Sequence, residues 1–126
     1  MTPRPEEWLL QADYDLSTAE YMFKGGRLFY AVFMCQLSLE KALKGLYQMK
    51  LNTAPPRIHN LIYLMTKLGL KPSDTIGRFL VKLNEAGVAN RYPEDLRRIE
   101  KEYSPAIVSA TLDQAKESLE WIRKQY

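Results

Sequence analysis

A chain of 126 residues is long enough to bury one hydrophobic core and too short for two comfortable ones. Its 46% hydrophobic and 26% charged residues exclude a disordered or fibrous chain. No apolar run approaches the roughly 20 residues needed to cross a bilayer, and the opening MTPRPEEW lacks the apolar core of a signal peptide, so a cytoplasmic protein without membrane association is expected.

Charge is spread unevenly along the sequence. The net value is only +3, yet residues 1–23 sum to −4, with Arg4 against Glu6, Glu7, Asp13, Asp15 and Glu20. Residues 41–82 sum to +7, with eight bases against Asp74 alone. A middle third this basic can offer a positive face to RNA, a nucleotide or an acidic protein, or it can balance the acidic first segment in space. The one cysteine, Cys35, cannot form an internal disulfide and lies on an apolar stripe, where core packing is its expected role.

In chain order, Leu9, Ala12, Leu16, Ala19 and Phe23 step by three and four, which predicts a first helix from about Pro5 to Lys24 that Gly25 and Gly26 end. The second segment, from about Arg27 to Lys50, carries two stripes. One runs Leu28, Val32, Cys35, Leu39, Ala42, Leu46, Met49; the other runs Phe29, Phe33, Gln36, Glu40, Leu43, Tyr47. Two adjacent stripes mean neighbours on more than one side, so this is the expected central helix. The gap NTAPPR breaks it, because proline removes an amide donor and disfavours helix in the residue before it. A short helix follows, burying Leu61, Leu64, Met65 and Leu68 and ending at Gly69. Ser73 is the expected N-cap of a fourth helix with Ile76, Phe79, Leu80 and Leu83 inside, fading near Gly87. Residues 91–103, RYPEDLRRIEKEY, read as a charged loop with at most one helical turn. Ser104 then Pro105 opens the last helix, which runs to the end through Val108, Leu112, Ala115, Leu119, Ile122 and Tyr126. Long amphipathic helices joined by short loops predict an all-α fold, a four- to five-helix up-and-down antiparallel bundle forming a single domain over 1–126.

The polar residues inside this pattern carry the functional question. Glu40 and Lys44 are four apart in the favourable order for an ion pair, and Lys41 points about 100° away from Glu40. Glu40 lies on an apolar stripe, so its carboxylate is expected to be partly buried and to need cations or amides from another helix, with Arg91 or the start of the third helix as the sources. His59, the sole histidine, stands at that start with Arg57 and Asn60. A histidine there is commonly a cap or a packed polar residue, but with Lys41 and Lys44 the three can hold phosphate near helix amides. Tyr92, beside Arg91, can stack on a base, whereas Tyr30, Tyr47 and Tyr63 are expected in the core or an interface. With one histidine and one cysteine, no metal site is expected, and without a GxxxxGK loop no cofactor is implied.

The run LFYAVFMCQLSLEKALKGLY, the proline-containing gap and IHNLIYLM, together with RYPE and the closing AKESLEWI, resemble the HEPN domain over nearly the whole chain. The resemblance implies a helical bundle, a homodimer, and a minimal nucleotidyltransferase as partner protein. Many relatives are ribonucleases with an arginine followed four to six residues later by a histidine. This sequence departs from that pattern: no histidine follows Arg91, and Ala54, Thr53 and Asn52 stand five to seven residues before His59. In-line RNA cleavage needs a group that moves a proton near neutral pH, which neither Tyr92 nor Glu94 does unaided. Three readings follow. The preferred one is a nucleotide- or RNA-binding protein acting with a partner; the alternatives are a ribonuclease toxin of a toxin–antitoxin pair with an altered site, and a non-catalytic interaction module.

Overall fold

The computed structural model describes residues 3–89 and 93–126. Helices form where apolar residues recur at three- and four-residue spacing: α1 (Pro5–Lys24), α2 (Leu28–Leu51), α3 (Leu61–Leu68), α4 (Asp74–Ala89), α5 (Pro93–Glu102) and α6 (Pro105–Arg123). Among the described residues there is no strand, and the all-α bundle expected from the pattern is what the chain adopts. No helix among them is long and apolar enough to cross a membrane.

Local chemistry sets the boundaries. Gly69 takes the left-handed conformation at φ 66 that closes α3. The hydroxyls of Ser73 and Ser104 accept from the Ile76 and Ile107 amides, both at 3.3 Å, as N-caps of α4 and α6. Segment 93–102 is the one element that departs from expectation, being a helix rather than a loop. Pro93 supplies a fixed φ at its first position, and the acid–base alternation of PEDLRRIEKE sustains a solvated helix that apolar periodicity does not reveal.

As expected, α2 is the centre and packs against all five other helices. Its partner α1 runs antiparallel beside it: Trp8 Nε1 donates to Gln48 Oε1 at 3.1 Å, Ser38 Oγ donates to the Ala12 carbonyl at 2.6 Å, and Lys41 Nζ meets Asp15 Oδ2 at 2.9 Å. Helix α6 also runs antiparallel to α1, tied by Lys116 to Glu20 at 2.7 Å and by Arg123 to Asp13. Acidic α1 is thus neutralised in part by cations from α2 and α6. The core comprises Leu39, Leu43, Leu46, Leu61, Leu64, Leu80, Leu83, Leu119 and Ile122 with the alanines of α1 and α2. Cys35 is fully buried in it, and burial pushes its thiol from 9.0 up to about 12, consistent with the packing role.

One close approach tests this packing. At Gly45 of α2, an added Cβ would lie 2.7 Å from Trp8 Cβ and 3.0 Å from the Pro5 carbonyl, and would meet the Tyr126 hydroxyl that donates to the Ala42 carbonyl. Alanine is the better helix former by about 1 kcal/mol, but overpacking against backbone costs roughly 1–3 kcal/mol. Gly45→Ala is therefore expected to lower stability, read as a reduced urea midpoint with an unchanged slope.

Candidate polar site at the start of the third helix

The side chains of Gln36, Glu40 and Lys44 fall at successive four-residue steps on α2 and stack on one face. All three are buried: Gln36 is 0%, Glu40 2% and Lys44 7% exposed. Lys44 Nζ donates to Glu40 Oε2 at 3.0 Å, and Gln36 Nε2 donates to Glu40 Oε1 at 3.2 Å. Helix α2 alone thus satisfies part of the carboxylate. The remainder comes from the chain leading into α3, where His59 Nδ1 lies 3.0 Å from Oε2 and 3.1 Å from Oε1. A carboxylate ringed by donors is an acceptor, so the proton on Nδ1 points at Glu40 and the other ring nitrogen, Nε2, is left on the far edge. The His59 side chain is 54% exposed. The result is a solvent-facing imidazole whose orientation is fixed from behind by a buried carboxylate.

Two further contacts hold the approach to α3. Gln36 Nε2 also donates to the His59 carbonyl at 3.3 Å. Asn60 caps the helix by accepting from the Tyr63 amide at 3.0 Å, while Asn84 of α4 accepts from the Leu61 amide at 2.8 Å and lies 3.5 Å from Asn60 Oδ1. Sequence reading missed Asn84 and the structural part of Gln36. Neither carries a local signal, since their partners lie 23 or 24 residues away. Gly87 lets α4 come this close, because an added Cβ would sit 2.6 Å from Gln36 Cγ and 2.8 Å from its Cδ.

The site residues named from the sequence divide accordingly. Glu40, Lys44, His59 and Asn60 come together, and the partner foreseen for Glu40 at the start of the third helix is present. Lys41 stands apart, paired with Asp15 of α1. Lys44 and Asn60 are engaged internally, and the α3 amides of Leu61 and Tyr63 that were expected to favour an anion already have side-chain acceptors. Arg57 is exposed two residues before His59. Arg91 and Tyr92 lie outside the described residues. Tyr30 and Tyr63 are 61% and 42% exposed, so neither is a core residue. No group of three or more histidine, cysteine or acidic residues among the described ones is placed to hold a metal ion.

The HEPN domain family profile matches residues 5–125, and the chain belongs to that family. Among solved structures it resembles protein TT1696 from Thermus thermophilus, at 23% identity and TM-score 0.82, and ST0689, described as an archaeal HEPN homologue, at 26% identity and TM-score 0.75. Each likeness covers 98% of both chains. Comparison with curated proteins returned no match.

Removing Glu40 would strand the buried Lys44 ammonium. Glu40→Ala is expected to cost about 3–5 kcal/mol, the usual range for breaking a buried pair from one side. His59→Ala should cost far less, since its ring is half in solvent. A urea-denaturation cycle with Lys44→Met checks this: the double variant should recover much of the loss, and independent, additive effects would refute the coupling.

Proposed function

We propose that this HEPN protein binds the phosphates of a nucleotide or RNA at the His59 corner and acts together with a partner protein, for which the family resemblance offers a minimal nucleotidyltransferase. The observation that supports this most directly is the fixed His59 ring. Lys44 offsets Glu40 within the fold, so the acid behind the ring does not cancel the positive charge that Arg57 brings to this surface. An oriented imidazole beside an arginine suits a phosphate oxygen, which accepts from both. Arg91 and Tyr92 complete the proposed contact set, as a second cation and a stacking ring. Lys41, Lys44 and Asn60 support the fold around it. The absence of the arginine–histidine spacing favours binding over RNA cleavage.

In a titration of ATP, GTP and a short single-stranded RNA by calorimetry, binding is expected to weaken as salt rises and to fall several-fold in His59→Ala, Arg57→Ala and Arg91→Ala, while expression of the wild type leaves cellular RNA intact. Growth arrest with RNA loss that His59→Ala abolishes would instead support the ribonuclease toxin. Unchanged binding in all three variants would remove the site.

Self-association is the second part of the proposal. Leu10, Tyr14 and Tyr21 are 68%, 73% and 77% exposed along one side of α1, an apolar stripe that a second copy would cover. A mass near twice 14.6 kDa is expected by light scattering at micromolar concentration. Tyr14→Glu should return it toward the monomer value, and a monomeric wild type would count against the dimer.

A further inference from the structure

Helix α1 packs against α2 and α6 and leaves its remaining side bare. Along that side Glu7, Leu10, Tyr14, Ser17, Tyr21 and Lys24 recur at alternating intervals of three and four residues. The alternation is that of a coiled-coil seam, the row of positions one helix presents to a single neighbouring helix. All six residues are exposed, and Leu10, Tyr14 and Tyr21 are each more than two-thirds exposed. Single apolar residues on a surface are ordinary, but an aligned row of them calls for a cover.

The two ends of the row decide what covers it. The seam begins with an acid, Glu7, and ends with a base, Lys24. A second copy laid parallel would set Glu7 against Glu7 and Lys24 against Lys24. Reversed, and centred between Tyr14 and Ser17, the same row meets itself with Glu7 on Lys24, Leu10 on Tyr21 and Tyr14 on Ser17. A two-fold axis makes each of these contacts twice. Ser17, the one small residue of the row, then lies opposite the Tyr14 ring and leaves room for it.

We propose that a second copy of this chain docks antiparallel on α1, about a two-fold axis between Tyr14 and Ser17, with the partner's Lys24 on Glu7 and the partner's Tyr21 on Leu10. The inference rests on the self-association reading above and adds to it the orientation and register of the contact. The surface around Leu10 is shaped for such a neighbour. An open hollow of about 410 Å³ lies there, lined by Leu10, Gln11, Tyr14, Asp15 and Lys41. The partner's Tyr21 ring enters it as a knob enters a hole. Asp15 is 6% exposed and holds Lys41 Nζ at 2.9 Å through Oδ2. A carboxylate accepts more than one donor, so the phenol of that ring can share it. At the end of the seam, the Arg4 amide donates to Glu7 Oε2 at 2.8 Å, while Oε1 has only the Arg4 guanidinium at 3.6 Å. Glu7 is thus held facing outward with one oxygen lightly engaged, which suits an incoming ammonium.

Oxidative cross-linking of the whole protein reads the register. Cys35 is fully buried, so an introduced surface thiol is the one that reacts. Leu10→Cys protein mixed with Tyr21→Cys protein should give a disulfide-linked dimer. Neither variant alone should do so, because two copies of either position lie about 16 Å apart along the seam, beyond the roughly 7 Å between Cα atoms that a disulfide spans. Charge variants read the same geometry by analytical ultracentrifugation at low salt. Glu7→Lys and Lys24→Glu should each raise the dimer Kd about fivefold, as expected for the loss of two exposed ion pairs, and combining them should restore it. Cross-linking of either cysteine variant with itself, or a double charge variant that stays weak, would overturn the antiparallel register. A dimer by light scattering whose mixture gives no cross-link would overturn the inference and spare the self-association reading, whereas a monomer would remove both.

Discussion

The architecture depends on one buried carboxylate. Glu40 sits at the middle of α2, the helix that packs against all five others, and it is 2% exposed. A charge there is tolerated only if its oxygens are filled, since desolvating an unpaired carboxylate costs several kcal/mol. Lys44 and Gln36 fill part of that need from α2 itself, and His59 fills the rest from a segment that carries no regular structure. The requirement therefore acts as a register pin. It decides where the proline-broken connection returns to the bundle and at which residue α3 begins. Asn84 and Gly87 of α4 make the same corner compact from the other side, one by accepting from the Leu61 amide and the other by having no side chain.

A purely apolar corner would serve stability as well or better, because replacing a buried ion pair with well-packed hydrophobic residues is often neutral or stabilising. What an apolar corner would not do is aim an imidazole. Nδ1 bound to Glu40 removes the freedom of the ring to rotate, and the half-exposed opposite edge is left for whatever approaches from solvent. This is the physical link between the fold and the proposed phosphate contact. Its electrostatics follow from the same geometry: Lys44 offsets Glu40 at 3.0 Å, so the local field at the surface is set by His59 and Arg57 and not by the acid behind them.

Much of the fold was legible because its causes are local. The stripes of α1, α2, α4 and α6, the breaks at Gly25, Pro55 and Gly69, and the caps at Ser73 and Ser104 all lie within a few residues of the structure they specify. Helix α5 was not legible from apolar spacing, since PEDLRRIEKE is mostly charged and owes its helicity to residues that face solvent. At the polar corner, Glu40 was visible as an acid on an apolar stripe, and its need for a partner near α3 followed from burial alone. The identity of the supporting groups did not. Asn84 and Gly87 act across 23 to 51 residues of chain, and nothing in their immediate neighbours marks them. Lys41 illustrates the converse error of counting cations along the chain. One residue from Glu40, it turns to Asp15 on α1, because adjacent helical positions face about 100° apart.

The uneven charge of the sequence resolves in the same way. Acidic α1 meets Lys116 and Arg123 of α6 and Lys41 of α2, and Lys44 is paired with Glu40, so two of the cations of the middle third are engaged inside the fold. What remains for an external partner is therefore smaller and more directional than the composition suggests. Near the middle of α2 it is a histidine held from behind. His59 lies on the irregular segment before α3, but Glu40 of the central helix fixes its ring, and a fixed donor loses little conformational freedom when a ligand binds. Under the proposed function, recognition rests on where the central helix holds one oriented ring, and net charge contributes mainly the long-range attraction that brings an anion near it.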